Sequence, residues 1–300
     1  MNSFLKWAGG KKWLIPKIKN QIPKFKTYYE PFLGSGTLFF ELEPKSALLA
    51  DSNFELINCY RQVRNNCLLV IKILKRLKND KNVYYRVREK FNCEKDLVKK
   101  SAYFIYLNKM CWNGLYRVNS RGEFNVPIGK NVIQRNKIFD TDQLLKASQV
   151  LKNAELKCCD FEETVKHATR RSDFIYLDPP YVTTNLTNGF IKYNSVLFSS
   201  TDELRLSALA HKLACRGVKI MLSNAAHPLI MRQYKGMFYK TIIDRASLIA
   251  GDPTKRSRFA ELLVSTFPMT FNDGKAASLK ITAPPNFKKY KSDFNPKCKI

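Results

Sequence analysis

The chain has 300 residues, of which 45% are hydrophobic and 20 are Phe, which is enough apolar material for a buried core and excludes a wholly disordered protein. Lys and Arg total 52 against 25 acidic residues, a formal net charge of +27, which chooses partners rather than a fold and makes a polyphosphate the first candidate. A membrane partner is set aside, because the basic residues are spread along the chain and no apolar run reaches the roughly 18 residues of a span.

In chain order, Lys11 to Lys19 reads as a short basic helix. Thr27 to Glu30 is a β-rich run that stops at Pro31 and opens into Phe32-Leu33-Gly34-Ser35-Gly36, with an apolar helical pattern from Thr37 to Leu42. Ala47 to Ala50 is a second strand that ends on Asp51. Strand, glycine turn, helix, strand and acid together make the first βαβ unit of a Rossmann-like sheet. From Asn53 to about Lys109 the chain is helical and basic, with Leu68, Ile71, Leu74, Leu97, Phe104 and Leu107 at helical spacing. A polar loop follows between Cys111 and Lys130, with a hairpin expected at Ser120-Arg121-Gly122. Strand signals return at 155–159, 173–177 and 218–222, a helix is expected over Thr201 to Leu213 with Thr201 as N-cap, and Arg258 to Phe267 reads as a late antiparallel strand. The lysine-rich last thirty residues carry little periodicity and read as weakly ordered.

The fold class is therefore α/β, a Rossmann-like sheet with an inserted, mainly helical subdomain. Residues 1–55 and 141–270 are expected to form the catalytic domain, 56–140 a target-recognition subdomain and 271–300 a basic tail. The eight cysteines include no C-x-x-C pair, and no signal-like segment opens the chain, so buried reduced thiols and a cytoplasmic location are expected. His167, His211 and His227 form no ligand spacing, and no metal is expected.

Three motifs carry chemistry. Asp178-Pro179-Pro180-Tyr181 follows a near-continuous apolar strand, at the carboxyl end where open α/β sheets bind ligands. Two prolines stiffen the loop and withhold amide donors, so the rim offers acceptors, and Tyr181 adds an aromatic face on which a base could stack. An exocyclic amine needs such acceptors, although a plain strand-ending turn would read the same way. Gly34-Ser35-Gly36 permits close backbone approach to a ligand, and Asp51, seventeen residues past Gly34, stands where a Rossmann-type acid meets ribose hydroxyls. No P-loop pattern is present. Lys6-Trp7-Ala8-Gly9-Gly10-Lys11 could hold a cofactor by a ring face and a lysine, or simply start a helix.

In the order Trp7-x-x-Gly10-Lys11, Phe32-x-Gly34-x-Gly36, Asp51, insertion, Asp178-Pro179-Pro180-Tyr181, the chain resembles the D12 class amino-methyltransferases of the α arrangement, and within them the Dam-type DNA-adenine N6-methyltransferases. The resemblance spans about residues 4 to 267. It includes Leu107 to Arg117, Gly122 to Pro127, Phe190, Tyr193, Phe198, Leu222-Ser223-Asn224 and Glu261-Leu262-Leu263.

The resemblance implies S-adenosylmethionine as cofactor, released as S-adenosylhomocysteine, with Trp7, Lys11, Phe32, Asp51, Asp160 and Asp178 binding it. It makes Asp178, Pro179, Pro180 and Tyr181 the catalytic loop, acting by direct displacement on a flipped adenine. It implies double-stranded DNA with a GATC-like site: Lys6 and Arg117 on the two guanines, Trp112 wedged beside the flipped base, and Asn113, Leu115 and Pro127 completing the surface. There are departures. Trp112 stands where a smaller aromatic is usual, Ile128 where Phe is common, Asn131 where an aromatic often follows, and Leu263-Val264-Ser265-Thr266 lacks a frequent asparagine. A binding protein without turnover, and RNA or the cytosine N4 amine as acceptor, are the competing readings. A cognate restriction endonuclease, and a monomeric or weakly dimeric state, are left open.

Overall fold

In the computed structural model, which describes residues 1–130, 132, 137–181, 198–245 and 259–271, the chain divides into two units. The first comprises Met1–Ile22 and Lys26–Val165, the second Pro23–Phe25 and Lys166–Ile300.

The first unit is built on three parallel strands, β1 (Thr27–Glu30), β2 (Ala47–Asp51) and β3 (Ala154–Cys158), in the order β3-β2-β1. Ala47 to Ala50 are all buried, as expected of a parallel strand covered on both faces. Its helices are α1 (Ile15–Ile18), α2 (Thr37–Leu42), α3 (Phe54–Leu74), α4 (Lys81–Cys93), α5 (Leu97–Met110), α6 (Thr141–Leu151) and α7 (Phe161–Val165). The expected helix from Lys11 to Lys19 is only one turn long. Pro16 lacks an amide hydrogen and fits only in a first turn, so the helix cannot reach back to Lys11.

The long basic stretch resolves into α3, α4 and α5 because Asp80 and Asp96 restart the helix, each accepting two backbone N–H bonds of the turn that follows. Arg61 and Arg64 of α3 donate to the carbonyls of Leu156 (2.9 Å) and Ala154 (2.8 Å). Two guanidinium groups thereby satisfy two carbonyl acceptors of β3. In the polar loop, Val118 bridges Phe124 across the expected hairpin. Tyr84 and Asn92 of α4 fix that hairpin by bonds to the backbone of Val126 and Phe124.

The second unit holds β4 (Asp173–Leu177), β5 (Lys219–Ala225), β6 (Tyr239–Arg245) and β7 (Phe259–Ser265) in the order β4-β5-β7-β6. β4 and β5 are parallel, and β7 runs against both its neighbours. β6, α6 and α9 (Pro228–Gln233) were not individually legible in the sequence. α8 (Ser200–Cys215) is capped by Ser199 rather than Thr201. Ser199 Oγ accepts the Asp202 N–H at 3.2 Å and Asp202 accepts the Ser199 N–H at 2.9 Å, a reciprocal box that Thr201, paired with Leu204, could not form. Phe190, Tyr193, Asn131 and the tail from residue 272 lie outside the described residues. No helix among the described residues is long and apolar enough to cross a membrane.

All seven described cysteines carry free thiols, but only Cys59, Cys67 and Cys111 are buried, while Cys93, Cys158 and Cys215 are exposed. Burial pushes the Cys59 thiol well up and that of Cys111 to about 12, so neither supplies thiolate at neutral pH. Iodoacetamide on the native protein is expected to label Cys93 and to spare Cys59 and Cys111 until denaturant is added. Equal labelling rates for Cys93 and Cys111 would contradict this packing.

Candidate active site

In the first unit the glycine turn is fixed from three sides. Gly34 has φ +47° and Gly36 φ +60°, conformations that favour glycine. Asp51, at the end of β2, accepts the Gly34 N–H through Oδ2 at 3.0 Å and the Asn53 N–H through Oδ1 at 3.0 Å. Tyr60 of α3 donates its hydroxyl to the Gly34 carbonyl at 2.9 Å. Burial raises the Asp51 carboxyl from its usual range, and the two backbone bonds oppose that rise. The Trp7 ring closes the third side: a Cβ on Gly34 would sit 2.8 Å from Trp7 Cδ1.

Trp7 is itself stacked on Tyr116, with centroids 5.9 Å apart and planes at 20°. Phe32 is half-buried and stacks on Phe161 at 5.4 Å. Asp160, exposed just after β3, accepts the Glu162 N–H that begins α7. Lys11 is buried, with Nζ 3.1 Å from the Gly9 carbonyl. Trp7, Phe32 and Asp51, far apart in sequence, thus gather around one turn.

The six candidate DNA contacts form a second cluster in this unit. Lys6 lies against Gly114, whose Cβ, if present, would meet Lys6 Cβ at 2.5 Å. Trp112 is 41% exposed, and its N–H is bonded to the Pro127 carbonyl at 3.0 Å. Asn113 is exposed with φ +53°, and the Leu115 N–H closes the turn on the Trp112 carbonyl. Arg117 Nε donates to Asn125 Oδ1 at 2.8 Å, which aims a half-buried guanidinium from the hairpin.

In the second unit Asp178 follows β4 directly and is half-buried. Ser223 Oγ donates to Asp178 Oδ1 at 2.9 Å, and the Tyr176 hydroxyl lies 3.2 Å from Ser223 Oγ. A serine hydroxyl has one proton, already committed to Asp178, so Tyr176 donates to Ser223. The chain Tyr176 to Ser223 to Asp178 therefore delivers a donor to one carboxylate oxygen and fixes its rotamer. Pro179 is buried and Pro180 exposed. The Tyr181 hydroxyl bonds the carboxylate of Glu261, 2.7 and 2.6 Å from its two oxygens, so β7 anchors the far end of this ring. Below β5, buried Glu203 accepts from Asn224 (3.1 Å) and Tyr234 (3.0 Å), and burial raises its carboxyl while these bonds oppose the rise.

Sequence reasoning did not name Tyr60 or Glu203, and Asn108, Asn125, Tyr176, Ser223 and Glu261 stood only within longer runs. No spacing rule would have found them, because each acts on a partner that only the fold supplies.

A glycine turn braced by the acid of the next strand, together with an oriented Asp-Pro-Pro-Tyr loop after a parallel strand, defines an α/β enzyme of the methyltransferase type. The sequence model of the D12 class N6 adenine-specific DNA methyltransferases matches residues 7–250, and the chain belongs to that family. It is 37% identical over 287 residues to the type II methyltransferase M.MjaIII of Methanocaldococcus jannaschii, covering 88% of this chain and 98% of that protein. It is 36% identical to the type II methyltransferase M1.LlaDCHI of Lactococcus lactis subsp. cremoris, covering 89% and 96%. It is 31% identical to the DNA adenine methylase of Escherichia coli K12, covering 91% and 98%. The expected activity, adenine-specific DNA methylation dependent on S-adenosylmethionine, stands as the activity of this family.

Proposed function

We propose that the chain methylates adenine N6 in double-stranded DNA at a GATC-like site, acting on a flipped base by direct displacement. The observation that carries this reading is the Asp178 carboxylate, held by Ser223 and Tyr176 at the start of a two-proline loop. Asp178 and the Pro179 carbonyl accept from the two amine hydrogens and so draw the nitrogen lone pair out of conjugation with the ring, while Tyr181 stacks on the base.

S-adenosylmethionine, when bound, supplies an electrophilic methyl group on a sulfonium. The residues of the first unit fit it. Asp51 uses each oxygen once for backbone and retains acceptor capacity for a ribose diol. Phe32 and Trp7 offer ring surface, Asp160 an exposed carboxylate for an adenine amine, and Lys11 an ammonium for a carboxylate end. On the DNA side, Lys6 and Arg117 would read guanine acceptors, and exposed Trp112 would wedge into the stack beside the flipped base, with Asn113, Leu115 and Pro127 around it. We place this work in the cytoplasm, with free thiols at all seven described cysteines in support.

Incubation with plasmid DNA and methyl-labelled cofactor is expected to put label in N6-methyladenine and to change cutting by endonucleases sensitive to adenine methylation at GATC. Label in N6-methyladenine with unchanged cutting would overturn the site assignment alone. Bound cofactor and bound DNA without any label would overturn turnover itself.

A further inference from the structure

We infer that Asn108 is a positioning residue for sequence discrimination, acting through Lys6; the inference rests on the proposed reading of a guanine by Lys6. Asn108 sits in the last turn of α5 and is buried. Its Oδ1 accepts the Lys6 N–H at 2.9 Å, and its Nδ2 donates to the Lys6 carbonyl at 2.7 Å and to the Gly114 carbonyl at 3.3 Å. One side chain therefore occupies both polar groups of the Lys6 peptide, as a neighbouring strand would, and ties that residue to the Trp112–Gly114 turn.

The contact at Gly114 completes the clamp. Gly114 has φ +65°, and a Cβ there would lie 2.5 Å from Lys6 Cβ, which leaves no room for any other residue. Lys6 and the loop bearing Trp112, Asn113, Leu115 and Arg117 are thus registered to each other through a single carboxamide, across 102 residues of sequence.

This registration matters because lysine is a point donor on a flexible stem. Guanine and adenine share the N7 acceptor in the major groove and differ beside it, where guanine has the O6 acceptor and adenine an amine donor. A lysine free to shift by about an ångström could settle on N7 alone and accept either base. Fixing the backbone on both sides of Lys6 restricts where its ammonium can reach. Of the alternatives at position 108, aspartate would set a carboxylate against two carbonyls, and an apolar residue would leave the Lys6 peptide unpaired.

The test compares kcat/KM on a GATC duplex with that on a duplex whose first guanine is replaced by adenine, for wild type, Lys6→Ala, Asn108→Ala and the double variant. Lys6→Ala and Asn108→Ala are each expected to lower the ratio about tenfold, the double variant no further, with cofactor affinity held within about threefold. Because Asn108→Ala could fail to fold, Asn108→Ser, a smaller polar side chain that cannot reach both the Lys6 N–H and the Lys6 carbonyl, serves as a second probe and is expected to lower the same ratio. A ratio that falls in Lys6→Ala but stays at the wild-type value in both Asn108→Ala and Asn108→Ser overturns the inference and spares the reading of Lys6. A ratio unchanged in Lys6→Ala overturns that reading and the inference with it. Equal losses on both duplexes would mark the clamp as structural only.

Discussion

Asp178→Ala is expected to lower kcat for adenine methylation by about two to three orders of magnitude while leaving DNA affinity and folding intact. The magnitude follows from what is lost. The side chain is the one charged acceptor of its loop, and it is fixed rather than mobile: Ser223 holds Oδ1 at 2.9 Å, and Tyr176 in turn holds Ser223. An acceptor already oriented before the substrate arrives costs no reorganisation during the reaction, which is what makes such groups worth several kilocalories per mole. Asp178→Asn is expected to be nearly as damaging despite its shape. Its oxygen can still accept from Ser223, but its amide group then presents hydrogens to an amine that also presents hydrogens. Ser223→Ala should fall between, at about a tenfold loss of kcat, because the carboxylate survives and only its rotamer is released. Steady-state rates on an unmethylated duplex, with DNA affinity from fluorescence anisotropy, separate these outcomes. An Asp178→Ala enzyme within a few-fold of wild-type kcat would remove this residue from the chemistry.

The graded response expected at Asp178 and Ser223 also shows which parts of the site were legible in the sequence. Asp178 was readable because a continuous apolar run must end somewhere and Pro179-Pro180 marks where. β1, α2, β2 and β4 were readable for the same reason, each being a short period-specific pattern bounded by Pro, Gly or Asp. Ser223 was not, because a serine inside a buried strand looks like any small residue until β5 is laid beside β4 in register. Asn108 was hidden similarly, since an asparagine near a helix end suggests a cap, whereas its partner is the backbone of Lys6, 102 residues earlier in the chain. The N-cap of α8 was misplaced by two residues because Ser199, Ser200 and Thr201 are all good caps by type. Ser200 has Glu203 three residues on just as Ser199 has Asp202, and the tie is broken only by the fold, where Glu203 is buried and accepts from Asn224 and Tyr234 while Asp202 closes the box on Ser199. Local patterns therefore set the elements, and long-range hydrogen bonds set the side chains that orient the reactive ones.

Gly34→Ala is expected to weaken cofactor binding at least tenfold and to cost about 1–2 kcal/mol of stability, whereas Gly36→Ala should cost similar stability with a much smaller loss of affinity. Both glycines have positive φ, so both substitutions carry the same kind of backbone strain. They differ in what the new methyl meets. At Gly36 the nearest atoms are Leu33 Cδ1 at 3.2 Å and the Phe40 ring at 3.4 Å, of which the leucine methyl can give way by a small rotation. At Gly34 it meets Trp7 Cδ1 at 2.8 Å, and that ring has no simple retreat, because its face is stacked on Tyr116. Accommodation then requires either moving the indole, and with it the Tyr116 contact, or loosening the Asp51 and Tyr60 bonds that hold the Gly34 peptide. Each route disturbs a group proposed to hold S-adenosylmethionine. Calorimetric titration with S-adenosylhomocysteine and denaturant unfolding of both variants supply the comparison. If the two alanines lose affinity equally, the indole over the turn is a packing element and the cofactor is held elsewhere. If only Gly34→Ala loses it, the indole over the turn is part of the cofactor pocket as well as the packing partner of Tyr116, which lies between Leu115 and Arg117.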